Sequence, residues 1–162
     1  MLIKIFCFLL IVSTPLFSQQ DSALSLFSFG YTETHLDSTL NDSIYYLFDD
    51  FDKSIPLKSI AFDLNEDGNK EKFIPNDCLC GTGGCPWIIY DVNKQKLLGK
   101  ISGGVIYINQ KKINGYHEIE TYLRNGADGG SVMVYEYTNG KFVLKKSAIL
   151  NNKESQIYFQ KK

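Results

Sequence analysis

The residues best suited to chemistry lie in one short run, Asp63-Leu64-Asn65-Glu66-Asp67-Gly68-Asn69-Lys70-Glu71. Side-chain oxygens recur at Asp63, Asn65, Asp67 and Glu71, and Asn69 can add its backbone carbonyl. Alternate oxygens on a curled loop can converge on one hard cation, and Gly68 permits the sharp turn this needs. Asp63, Asp67 and Glu71 bring three negative charges together, whose repulsion a divalent ion would relieve. The spacing therefore favours calcium. The competing reading is a metal-free turn in which Asp and Asn side chains bond the backbone.

A second run, Cys78-Leu79-Cys80-Gly81-Thr82-Gly83-Gly84-Cys85-Pro86-Trp87, carries thiols. Cys80 and Cys85 bracket four small residues, three of them glycine, so the chain can fold back on itself. A Cys80–Cys85 disulfide would close a small ring worth about 2 kcal/mol by the chain-entropy argument. Cys78–Cys85 is the competing pairing. Cys78 and Cys80, two apart on a strand, point to one face and would bond only under strain. Three thiolates with His117 would make a zinc set, but Cys-x-Cys-x4-Cys departs from the usual knuckle spacing. The glycines could cradle a phosphate, yet no Lys-Ser/Thr follows them and no helix pattern begins there.

Catalytic machinery is not apparent. Beyond the acidic run stand His35, His117 and the alternating pair Glu118 and Glu120. A nucleophile needs an adjacent base and a group to orient it, and no such motif occurs. Glu118 and Glu120 on one strand face read as a solvated pair, and His117, alternating with Ile119 and Leu123, as an inward-facing residue. No catalytic residue is assigned, and a hydrolase is the remotest alternative. Tyr116, Tyr122, Tyr135 and Tyr137 fall on predicted strands; those sharing a face would form an aromatic ladder suited to binding. A half-buried strand face is the plain alternative.

The elements that must position these groups are mostly strands. Turn signals at Asp67-Gly68, Gly103-Gly104, Asn114-Gly115, Asn125-Gly126, Gly129-Gly130 and Asn139-Gly140 separate them. Strands are expected at 24–32, 58–63, 70–75, 86–91, 97–101, 104–109, 116–123, 131–138, 141–147 and 155–160. The Asn139-Gly140 hairpin has the clearest signature. One helix is expected, capped by Asp37 or Ser38, with Leu40, Ile44, Leu47, Phe48 and Phe51 on a single face and Pro56 closing the segment. The expected fold class is α+β, mainly β: an antiparallel sheet with one N-terminal amphipathic helix packed on it.

Composition fits one domain. The chain has 162 residues, 17 Lys plus Arg against 18 Asp plus Glu, 44% hydrophobic and 22% charged residues. That is globular, and it lacks the basic excess of a nucleic-acid binder. Lys4, the apolar run Ile5–Val12 and the break at Ser13-Thr14-Pro15 form a secretory signal over residues 1–18, too short to span a bilayer. Its removal leaves 144 residues (19–162), a net charge of −2 and three cysteines. A secreted or periplasmic chain can keep a disulfide, which favours that outcome over zinc. No membrane span is expected after removal of the signal.

The acidic run resembles the first half of an EF-hand loop, but Lys70 and Ile74 depart from the second half and no helices flank it. It is more similar to the calcium loop of FG-GAP/VCBS (integrin-propeller-like) repeats, Asp-x-Asn/Asp-x-Asp-Gly-x-x-Asp/Glu, which joins two strands; Glu71 stands where Asp is usual. Residues 60–140 resemble uncharacterised small secreted bacterial proteins that share this loop, then Cys-Gly-Ser/Thr-Gly-Gly-Cys (Cys80 to Cys85), then Asn-Gly-aromatic-x-acidic-aliphatic (Asn114 to Ile119). The disulfide ring followed by Leu98-Gly99-Lys100-Ile101-Ser102 is faintly similar to the inhibitor of vertebrate lysozyme family, which carries a histidine in its ring where Gly81–Gly84 has none. The expectation is a calcium-stabilised, non-enzymatic binding module of the cell envelope, its partner an unknown protein or glycan; an envelope inhibitor is the alternative.

Overall fold

The structure, a computed structural model, describes residues 25–48 and 51–162. The expected signal, residues 1–18, lies outside them. The described residues form ten strands in two five-stranded antiparallel sheets. The first sheet holds β1 (Ser25–Gly30), β7 (Val105–Ile113), β8 (Tyr116–Arg124), β9 (Gly129–Thr138) and β10 (Lys141–Asn151), in that spatial order. The second runs β2 (His35–Leu36), β3 (Lys58–Phe62), β4 (Glu71–Pro75), β5 (Cys85–Asp91) and β6 (Lys96–Gly103). Asn114-Gly115 and Asn139-Gly140 have positive φ at both positions, the tight-hairpin geometry their sequence asks for.

The inner faces of both sheets share one core. Phe29, Ile106, Ile108, Ile119, Tyr135 and Phe142 from the first sheet meet Phe73, Trp87, Ile89, Leu98 and Ile101 from the second. β5 is buried along nearly its whole length because its other face is covered too. There Ile74, Ile88 and Tyr90 pack against Ile44, Leu57, Phe48 and Phe51. The apolar stripe of Leu40, Ile44, Leu47, Phe48 and Phe51 thus packs on one cluster, Ile44 buried and the others partly so, as their spacing suggests.

That stripe does not form the expected N-terminal helix. Asp42–Leu47 is a single short 3-10 helix, with extended backbone on either side. The reason is local. Asp37 accepts from Thr39 N, Asn41 from Ser43 N and Asp52 from Ser54 N, so short polar side chains take the amides that a helix would use. The α-helix lies at the other end, α1 (Asn152–Gln160), where the sequence alternation suggests a last strand at 155–160. Asn151 and Glu154 close a reciprocal capping box that starts it. α1 covers the outer face of the first sheet, where Tyr158 and Phe159 pack on Tyr122. The fold is therefore two antiparallel sheets with a C-terminal helix. No helix among the described residues is long and apolar enough to cross a membrane.

Candidate functional site

The acidic run is the hairpin connection between β3 and β4, closed by the pair Phe62 and Glu71. Asp63 folds the loop by accepting from Asp67 N (3.2 Å) and Gly68 N (2.8 Å). Asn65 Oδ1 accepts from Asp67 N at 3.0 Å, and Asp67 Oδ1 from Asn69 N at 2.8 Å. Glu66 and Gly68 both adopt positive φ, so the curl turns sharply at two points. Asp63, Asn65 and Asp67 thus line the inside of one curl. Bonds from Asn69 N and then Asn65 hold the Asp67 carboxyl below the usual carboxylate range.

Glu71 closes the curl from β4. It is only 2% exposed, and its Oε2 accepts from Leu64 N at 2.8 Å. Burial pushes its carboxyl above the usual range, against the Leu64 amide, and the charges of Asp91 and Asp63 push the same way. This buried carboxylate has acidic neighbours and, among the described residues, no cationic side chain bonded to it, a setting a bound cation would relieve. Among the described residues no three His, Cys, Asp or Glu side chains are gathered as a ready-made ligand set. Instead, Asp63, Asn65, Asp67 and Glu71 each accept from a backbone amide, and Asp67 Oδ2 also accepts from Asn65 Nδ2. A carboxylate offers about four lone-pair sites, so the donor chemistry of Asp63, Asp67 and Glu71 still suits calcium.

The loop is fastened to the first sheet. Leu64 is fully buried in the shared core, and its carbonyl accepts from His117 N at 2.7 Å. Glu66 meets Lys112 Nζ at 2.5 Å and His117 Nε2 at 2.9 Å. Lys112, then His117, hold the Glu66 carboxyl below the usual range. His117 Nδ1 lies 2.8 Å from Asn109 O, and its ring packs edge-on to Phe62, so it faces inward as expected.

The four tyrosines do not form one ladder. Tyr116 and Tyr137 stack at 3.8 Å, both half-buried, and Tyr116 sits beside Asn65 of the acidic loop. Tyr135 is buried between the sheets, its hydroxyl accepting from Ser102 N. Tyr122 faces the opposite way, under α1, bonded to Ser155.

Cys80 and Cys85 form a disulfide, and Cys78 is free and exposed. The bond consumes two of the thiolates the zinc reading required. Within the ring, Gly81 N donates to Gly84 O and Gly84 N to Gly81 O. The glycines serve close packing. A Cβ on Gly83 would stand 2.5 Å from Arg124 O, and one on Gly84 2.3 Å from Gly104 N. Arg124 N donates to Gly83 O, so the ring clips the second sheet to β8 of the first. An open cleft of ≈ 380 Å³ lies beside it, lined by Phe29, Tyr31, Glu33, Cys80, Thr82 and Val105. Glu33, its charged lining group, is already bonded to Gly30 N and Thr32.

One polar cluster escapes the sequence reading. Glu118 and Glu120 are buried on the outer face of the first sheet, not solvated. Asn109 Nδ2 donates to both, Lys111 pairs with Glu118, and Lys162 pairs with Glu120. The Tyr158 hydroxyl donates to Glu120 at 2.6 Å. Its own ionisation is pushed up, first by burial and then by Glu120. The cluster latches α1 to the sheet. The signal for it was the Asn151-x-x-Glu154 capping box, which marks a helix where alternation alone suggests a strand.

No protein-family model, curated protein or solved structure matches the chain.

Proposed function

We propose that the chain is a secreted or periplasmic, non-enzymatic binding module whose acidic loop takes calcium. One observation carries the reading: Asp63, Asn65 and Asp67 line a single curl around Gly68, closed by the buried Glu71, to which no cationic side chain among the described residues is bonded. Calcium would add an inner fastening to a loop already tied to β8 through Leu64 and Glu66. Asp63, Asn65, Asp67, the Asn69 carbonyl and Glu71 are the ligands this reading assigns. The Tyr116–Tyr137 stack, beside Asn65, is the surface we assign to an envelope protein or glycan, since half-buried tyrosines offer a rigid apolar face with a polar rim. The Ile5–Val12 run with its flanking charge and breaker supports export.

Titration calorimetry with calcium tests the metal assignment. The parent chain should give heat at one ion per chain, and Asp67→Ala should give none. Absence of heat in the parent overturns the assignment. For the address, expression of the full chain in a bacterial host should yield an exported product starting near Gln19; a product retaining Met1 in the cytoplasm contradicts it.

A further inference from the structure

Charge is unevenly spread along the chain. Residues 141–162 carry six lysines and one acid, Glu154, a net of +5 in a chain of net −1, which leaves −6 on residues 1–140. Lys162 is spent on Glu120, and Glu154 on the cap of α1. Among the described residues Lys141, Lys145 and Lys146 on β10 have no acidic partner, nor do Lys153 and Lys161 on and beside α1.

The same strand ends its sheet. β10 pairs with β9 on one side and with no described strand on the other. From Leu144 to Ile149 every residue is exposed, including Leu144 at 53% and Ile149 at 83%. An edge strand of this kind presents unpaired N–H and C=O groups that can template another strand. The lysines select among occupants. A second copy pairing β10 with β10 in a register centred on Lys145 and Lys146 would set these lysines opposite their own equivalents, and like charges across a strand pair repel. An extended acidic segment would meet complementary charge and still bury Leu144, Ala148 and Ile149.

We propose that the free edge of β10, from Leu144 to Leu150, accepts an extended acidic segment of a partner protein as a sixth strand of the first sheet. The proposal goes beyond the calcium reading and does not depend on it, because no residue of the acidic loop takes part.

The test uses the full mature chain, ¹⁵N-labelled, and a blocked peptide of alternating Glu and Val, with an alternating Lys and Val peptide as control. Titrations run in chelator and again with calcium, so that failure of the metal reading leaves this result interpretable. The acidic peptide should shift the amides of residues 144–150, slow their hydrogen exchange, and bind more weakly as salt rises. The Lys145→Glu/Lys146→Glu variant, changed only at exposed positions, should bind it roughly tenfold more weakly or worse. Shifts mapping away from β10, an equal response to the cationic peptide, or no response at all would overturn the proposal. So would a concentration-dependent dimer through β10, or adsorption to anionic vesicles that β10 substitutions abolish while the peptide leaves β10 untouched.

Discussion

Glu120 sits almost wholly out of water, yet three donors converge on its carboxylate: the Tyr158 hydroxyl, Lys162 Nζ and Asn109 Nδ2. Such a group is stable only while its partners remain. Tyr158→Phe removes one charge-assisted bond with little change in packing, and should lower the unfolding free energy by about 1–3 kcal/mol, read from urea denaturation. An unchanged midpoint would show that the hydroxyl does not hold α1 down. The alternating Glu118 and Glu120 were visible in the sequence as a pair on one face. The burial of Glu120 was not, because its partners Tyr158 and Lys162 lie more than thirty residues further along the chain. His117 was readable as inward-facing for the opposite reason: its neighbours Ile119 and Leu123 announce the face locally.

At the scale of elements, the glycine ring packs closely on the Gly103-Gly104 corner and on Arg124 of β8. Gly84 has φ +142° and lies within 2.3 Å of Gly104 N once a Cβ is added. Gly84→Ala should therefore destabilise by at least the roughly 1–3 kcal/mol of backbone strain, detectable as a lowered midpoint; a variant as stable as the parent would contradict this packing. Reduction of Cys80–Cys85 should cost about 2 kcal/mol, measured by melting with and without reductant.

Asp37 ties β2 to its neighbours through Ser59, Thr39 and Lys72. Burial alone would raise its carboxyl, but bonds from Ser59, Thr39 and Lys72 outweigh it and hold the group well below the usual range. A folded value below the unfolded one means the stabilisation is complete above about pH 4 and is lost as pH falls toward the folded value. Asp37→Asn should be less stable at neutral pH and flatter on the acid side; parallel pH profiles would refute the role. The strands β3 to β10 were legible from alternation and turn chemistry. The 3-10 segment and α1 were not, because side-chain competition for amides defeats one helical pattern and a capping box starts a helix in a segment that alternates like a strand.

Across the whole molecule the layers run from the 40–57 stripe through the second sheet and the first sheet to α1. The acidic loop bridges the middle two, anchored in the core by Leu64 and on β8 by His117. Calcium bound there would stabilise the assembly of both sheets, since an ion that prefers the folded state adds about 2.7 kcal/mol when present at a hundred times its dissociation constant. The sequence announced the loop because its acidic and amide residues lie close together in the chain. It could not announce the Tyr116–Asn65 juxtaposition, which depends on how the sheets meet. The most direct measurement is thermal melting of residues 19–162 in chelator and in rising calcium, beside Asp67→Ala. The melting temperature of the parent should climb by several degrees with calcium while that of the variant stays fixed; a parent curve that does not move would contradict the account.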